Sequence, residues 1–218
     1  MDEKVPCNEC GKSISVDQAT RRNGLCLFCS IKLEEKVACV ECGKPVSARL
    51  ASKRNGLCMR CRAKHNPFFV LYSSLVNQVC NEAAGFESLN DAQKLYYALM
   101  LFQNEVNNGG FHQFFFNSSG AYYNLIETAL VSFDEPQVFE LLHQAKQIVF
   151  PAIDVPADKE TRRNLMPHVE PGSSRPEWAN RLDELDRRFY SVPDTLTPKL
   201  KLFAREHGLV AEEPVSDQ

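Results

Sequence analysis

The chain lacks long hydrophobic runs: its longest uninterrupted apolar stretch, Leu95 to Phe102, is short beside its 218 residues. A bilayer-spanning helix needs about 20 such residues, so none is expected. The opening residues, MDEKVPCNEC, lack the charged-then-apolar pattern of a secretion signal. A protein retained inside the cell, in the cytoplasm, is therefore expected. There is no phosphate-binding glycine loop, no recognisable nucleophile motif and no second type of metal-ligand set beside the cysteines, and these absences argue against an enzyme. Strand-like alternation is missing after residue 67. Composition is otherwise that of a soluble globular protein, with 44% hydrophobic and 10% aromatic residues.

What is present is unevenly distributed. The net charge of −3 separates into +6 for residues 1–66, with 13 Lys+Arg against 7 Asp+Glu, and −9 for residues 67–218, with 12 against 21. Eight of the nine cysteines precede residue 62, as Cys7-x2-Cys10, Cys26-x2-Cys29, Cys39-x2-Cys42 and Cys58-x2-Cys61. Without a secretion signal this spacing reads as zinc rather than disulfides. Each Cys-x-x-Cys bends back so that two sulfurs take adjacent corners of a tetrahedron, and two pairs close the shell with no vacancy for water. Two structural Zn2+ ions are expected. Eight thiolates and two zinc ions would lower the charge of residues 1–66 to roughly +2.

An internal repeat decides the pairing. CNECGKSISVDQATRRNGLCLFC recurs 32 residues later as CVECGKPVSARLASKRNGLCMRC, with 13 of 23 positions identical. One ion is assigned to Cys7, Cys10, Cys26 and Cys29, the other to Cys39, Cys42, Cys58 and Cys61. The units resemble zinc-ribbon or treble-clef modules, spanning 1–33 and 34–66, with Cys29 and Cys61 opening short helices. Gly11 and Gly43 let the backbone turn after the first pair, and Asn-Gly at 23–24 and 55–56 supplies a tight turn before the second. Arg22 and Arg54, at matching positions, are candidate nucleic-acid contacts, although the metallated charge is small.

Residues 67–210 read as an all-α domain, followed by an acidic tail at 211–218. Apolar residues step by three and four through Phe68–Val79, Leu95–Val106, Tyr122–Phe133, Val138–Val149, Trp178–Phe189 and Leu196–Phe203. The proline-rich segment 151–176 reads as an irregular crossing, and Cys80, in an apolar helical context, as a buried inert thiol. The stretch EVNNGGFHQFFFNSSG, Glu105 to Gly120, marks an abrupt corner. Asn107, Asn108, Gly109 and Gly110 suit left-handed backbone angles at a helix end. Phe111 to Phe116 make one turn whose phenylalanines wedge between helices, and Asn117 to Gly120 cap the next helix. Glu105, His112 and Gln113 are expected to bond backbone groups freed by the corner. An acid–base pair of Glu105 and His112, with Asn107 or Gln113 orienting a substrate, is the enzymatic alternative.

That stretch, with Glu105, Asn107, Asn108, Gly109, Gly110, Phe111, Gln113, Phe114, Phe115, Asn117 and Gly120 as its signature and ETAL after it, resembles the all-α domain family named after a bacterial DNA-mimic protein. The likeness covers roughly residues 70–205. The resemblance implies an interaction protein whose acidic surface occupies the DNA-binding face of a basic protein partner. The tandem cysteine modules depart from the simplest members, so the partner can differ; a toxin neutralised by an immunity-like protein is an alternative.

Duplex DNA carries one negative charge per roughly 1.7 Å of axis, so a mimic needs unneutralised carboxylates. Glu177–Arg181, Asp183–Arg187 and Glu184–Arg188 read as ordinary i,i+4 helix pairs. Better candidates are Glu127, Asp134, Glu135 and Glu140, with Asp154, Asp158, Glu160 and Glu170 in the crossing segment. Asp134 and Glu135 are also placed to start a helix, and Glu212, Glu213 and Asp217 belong to a solvated tail.

Overall fold

The computed structural model describes residues 3–168, 172 and 174–211. The chain forms two compact units, Met1–Asn66 and Pro67–Gln218. Among the described residues no helix is long and apolar enough to cross a membrane.

The first unit contains one small motif twice. β1 (Lys4–Pro6) pairs antiparallel with β2 (Ser13–Ser15), placing Val5 opposite Ile14; α1 (Val16–Arg21) and α2 (Leu27–Leu33) follow. β3 (Lys36–Ala38) pairs with β4 (Pro45–Ser47) in the same register and leads to α3 (Ala48–Ser52) and α4 (Met59–Lys64). Ser15 and Ser47 cap the first helix of each copy, their hydroxyls accepting the Gln18 and Leu50 N–H. The Asn-Gly turns adopt positive φ at both residues, 51° and 78° at Asn23 and Gly24, 50° and 77° at Asn55 and Gly56. Each copy buries only a handful of apolar groups, Ile14 with three cysteines in the first and Val46 and Ala51 with two in the second. Such a core is too small to hold a fold alone.

The second unit is all helical among its described residues. Its helices are α5 (Pro67–Asn81), α6 (Asp91–Phe116), α7 (Tyr123–Ser132), α8 (Pro136–Val149), α9 (Lys159–Leu165), α10 (Glu177–Ser191) and α11 (Leu196–Glu206), with 3-10 turns at Gly85–Ser88 and Ser118–Tyr122. α6 is the central element and packs against every other helix of the unit. It starts with a complete capping box, in which Asn90 and Gln93 exchange side-chain and backbone bonds. Leu99, Phe102 and Val106 of the step read in the sequence lie on its buried face, while the first position of that step, Leu95, is half-buried and its neighbour Tyr96 is buried instead.

The structure differs from the sequence reading at several points. The crossing segment contains α9, because Asp158 accepts the Thr161 N–H at 2.7 Å and caps it. Cys80 is exposed; it lies about 140° around α5 from the buried Leu75 at 3.6 residues per turn, away from the core. Among the described residues none of the three expected i,i+4 pairs of α10 forms, and the residues of two of them find other partners: Arg175 grips both oxygens of Asp183 at 2.7 Å, Arg187 meets Glu184 one turn back at 2.5 Å, and Arg188 donates to Gln144 of α8. Long exposed side chains choose among several partners of similar energy, so spacing alone does not select one.

Candidate functional site

The four sulfurs of Cys7, Cys10, Cys26 and Cys29 lie within 4.8 Å of one another, as do those of Cys39, Cys42, Cys58 and Cys61. Each cluster draws on both pairs of one repeat and none of the other. Backbone amides point at these sulfurs: the Cys26 and Cys58 N–H donate to Cys7 and Cys39 Sγ at 3.1 and 3.2 Å. The Cys29 and Cys61 N–H donate to Cys26 and Cys58 Sγ at 3.4 Å. The helices α2 and α4 therefore open at Cys26 and Cys58, one turn earlier than expected from sequence, because a sulfur performs the capping normally done by an oxygen. The amide from Cys26 or Cys58 holds the Cys7 and Cys39 thiols down at about 6. Burial and the crowded neighbouring sulfurs push Cys29 up to about 12. Four sulfurs this close become anionic together only around a cation, and the donor set suits a soft, four-coordinate metal ion.

The corner has a different composition from the one the sequence suggested. α6 does not end at Asn107; Asn107 and Asn108 stay helical, and the break is confined to Gly109 (φ −158°, ψ 24°) and Gly110 (φ 75°, ψ −175°). Of the four residues expected to adopt left-handed angles only Gly110 does so. The break releases the N–H of Phe111, which Asp186 Oδ1 of α10 accepts at 2.8 Å. A Cβ at position 110 would lie 2.1 Å from Asp186 Oδ2, so both the angle and the space demand glycine. Burial raises the Asp186 carboxyl above its usual range, and the Phe111 bond partly offsets that.

Glu105 and Gln113 bond each other rather than the backbone. Glu105 Oε2 accepts the Gln113 amide at 2.7 Å and the Asn117 amide at 2.8 Å, bridging the two arms of the bent helix. Asn117 is thereby used at the bridge and its side chain caps nothing. His112 stacks between Phe116 and Trp178 at centroid separations of 5.9 and 6.0 Å, and burial depresses its pKa. The carbonyls freed by the corner are taken by side chains, one of them local and the others from α9 and α10. Tyr190 donates to Val106 O, Ser119 to Phe114 O and Arg163 to Phe116 O, at 2.8 to 2.9 Å. Arg162, fully buried, donates to the carbonyls of Phe115, Asn117, Pro156 and Ala157. A Cβ on Gly120 would meet Arg162 Nε at 2.6 Å. Phe111, Phe114 and Phe115 are fully buried and wedge the corner into the core.

The acidic candidates fall into three groups. Glu135 is only 4% exposed: Thr195 donates to Oε2 at 2.7 Å and Lys199 Nζ lies 2.8 Å from Oε1, so it is an internal ion pair and not part of a charged surface. Glu127 is half-buried, accepting the Tyr123 hydroxyl at 2.7 Å with His143 Nδ1 at 3.3 Å, and Asp158 is occupied as a cap. Asp134, Glu140, Asp154 and Glu160 are exposed. Asp134 closes the turn before α8 with φ 52°, and neither it nor Glu135 makes a side-chain cap there. Glu170 and residues 212–218 lie outside the described residues. Arg22 and Arg54 are half-exposed at the equivalent turn of each copy.

Arg162, Asp186 and Tyr190 were not singled out from the sequence. The sole local signal for any of them is the Asp158–Thr161 cap, which announces a helix where Arg162 sits. The family model described as DMP19-like protein matches residues 87–207. No curated protein and no solved structure matches the chain.

Proposed function

The chain belongs to the DMP19-like protein family, and we propose from that premise that it is a non-enzymatic interaction or regulatory protein. Its acidic helical unit binds a basic protein partner, a DNA-binding protein, in place of DNA. The observation that carries this reading is the charge division: −9 over residues 67–218, in a unit whose Asp134, Glu140, Asp154 and Glu160 stand exposed. Such a surface draws a basic partner by long-range attraction and repels nucleic acid. The corner supports a structural rather than catalytic role for its polar residues, since the Glu105 carboxylate is spent on two amides and His112 is sandwiched between rings.

Each four-cysteine cluster holds a Zn2+ ion in this reading. Four thiolates leave no open position, so the ion contributes folding energy and no chemistry of its own. Metal analysis of the purified chain should return two zinc ions; one or none would require another account of the cysteines.

The experiment for the partner uses the full metal-loaded chain, immobilised and exposed to native cell extract. A DNA-binding protein that duplex DNA releases, and simple salt of equal ionic strength does not, supports mimicry. A partner indifferent to DNA overturns it in favour of toxin neutralisation or assembly.

A further inference from the structure

A cavity of about 290 Å³ opens between α6, the start of α8 and the turn joining α10 to α11. It is at the lower end of the roughly 300–1,000 Å³ that ligand sites occupy, a size for one long side chain rather than a cofactor. Its chemistry is divided. Met100, Val138 and Phe189 give it an apolar side, while Asn104 and Asn107 of α6 and Asp194 and Thr195 of the turn give it a polar one. Among the described residues, the charged side chains lining it are both carboxylates, Glu135 and Asp194.

Both carboxylates are held in place by the fold. Glu135 is 4% exposed and fixed by Thr195 and by Lys199, which also bonds the Phe133 and Asp134 carbonyls at 2.8 Å. Asp194 Oδ1 accepts the Thr197 N–H at 3.0 Å and the Gln103 amide at 3.3 Å, bonds that orient the carboxylate. Asn107 is exposed and helical, and its side-chain amide bonds to no described residue. Lys199 offsets Glu135, so Asp194 leaves the cavity with a net negative charge and several separate oxygen acceptors.

A group that fits has an alkyl stem for the apolar side and several spread N–H donors with a positive charge at its tip. Guanidinium meets that description better than ammonium, because its planar fork reaches several acceptors at once and is less strongly hydrated. We propose that this cavity receives an arginine side chain of the basic partner, with Asp194 as its pairing carboxylate and Asn104 and Asn107 supplying amide oxygens. The inference rests on the proposed function and adds to it a single anchoring residue. Arginine is among the residues on which binding energy concentrates at interfaces.

The test is an NMR titration of the full metal-loaded chain with N-acetyl-arginine amide, and with N-acetyl-citrulline amide as the uncharged isostere. Saturable shifts of the Asn104 and Asn107 side-chain amides are expected with the arginine compound. Affinity for the citrulline compound should be roughly tenfold weaker, the difference made by a charge-assisted hydrogen bond. Asn107→Leu, which replaces a proposed acceptor with an apolar group and breaks no side-chain bond of the fold, should abolish the shift at Asn104 and leave the melting temperature unchanged. Equal binding of the two compounds, or arginine shifts that survive Asn107→Leu, overturns the proposal. A DNA-releasable complex in a chain whose cavity ignores arginine sinks this inference and leaves the proposed function standing. Arginine binding in a chain that captures no basic partner does the reverse.

Discussion

Among the described residues, the most buried side chains of the N-terminal unit are cysteines, with Cys39 and Cys61 at 2% exposure, whereas those of the C-terminal unit are mostly aliphatic and aromatic, Phe102, Phe111, Phe114, Leu99 and Ile126 among those at 0%. One unit is organised around sulfur donors on short strands and turns, the other around an apolar core threaded by α6. With the proposed ions bound, a fold of the first kind draws its stability from metal binding to the native arrangement; a fold of the second kind depends on area removed from water. The two should therefore fail under different insults, and the variants below separate them.

The largest effect is expected from metal removal. A chelator should strip residues 4–66 of all protection against hydrogen exchange while the helices α5 to α11 keep theirs, read by amide exchange with residue resolution. Simultaneous loss in both units would show that the second depends on the first. Next comes Arg162→Leu, which leaves four carbonyls without their donor, two in the corner and two in the segment before α9. A loss of about 3 kcal/mol or more is expected at a penalty of roughly 1–3 kcal/mol per unpaired group, measured by denaturant unfolding and confined to the second unit.

Gly110→Val should cost about 1–3 kcal/mol for the backbone angle, with the Asp186 contact adding to it. An unchanged melting temperature would show that the corner relaxes around a side chain. The smallest effect is that of Asp186→Asn. The amide oxygen still accepts the Phe111 N–H, so stability at neutral pH should stay within about 1 kcal/mol of the parent. Its pH dependence is the sharper readout. The folded carboxyl titrates above the 3.8 of the free group, so the folded state holds this proton more tightly. The stability it contributes is full below 3.8 and lost as pH rises through the raised value. Asp186→Asn should flatten that part of the profile, and an unaltered slope would assign it to other groups.

The cysteine clusters were legible because their ligands are close in sequence and the module occurs twice; a spacing of two residues and a repeat of 32 leave few arrangements. The helices of the second unit were legible for the same local reason, since the period of 3.6 is written into Leu95, Leu99, Phe102 and Val106. The corner was legible only as a corner. Gly109 and Gly110 announce a break, but nothing near them says that Asp186 will accept the Phe111 N–H. The surface reading was the weakest: Glu135 and Glu140 look alike in the sequence, yet one is an internal ion pair and the other is exposed.

By itself, then, the sequence determined what depends on neighbours a few residues apart: two sulfur clusters, the helical period, and an acidic excess placed in one half. Tertiary structure alone decided which buried polar groups meet. Arg162 reaches carbonyls 45 and 47 positions away, and Tyr190 reaches Val106 across 84. Burial forces every such carbonyl to find a donor, but the demand does not say which one. That choice belongs to the packing of the helices around α6.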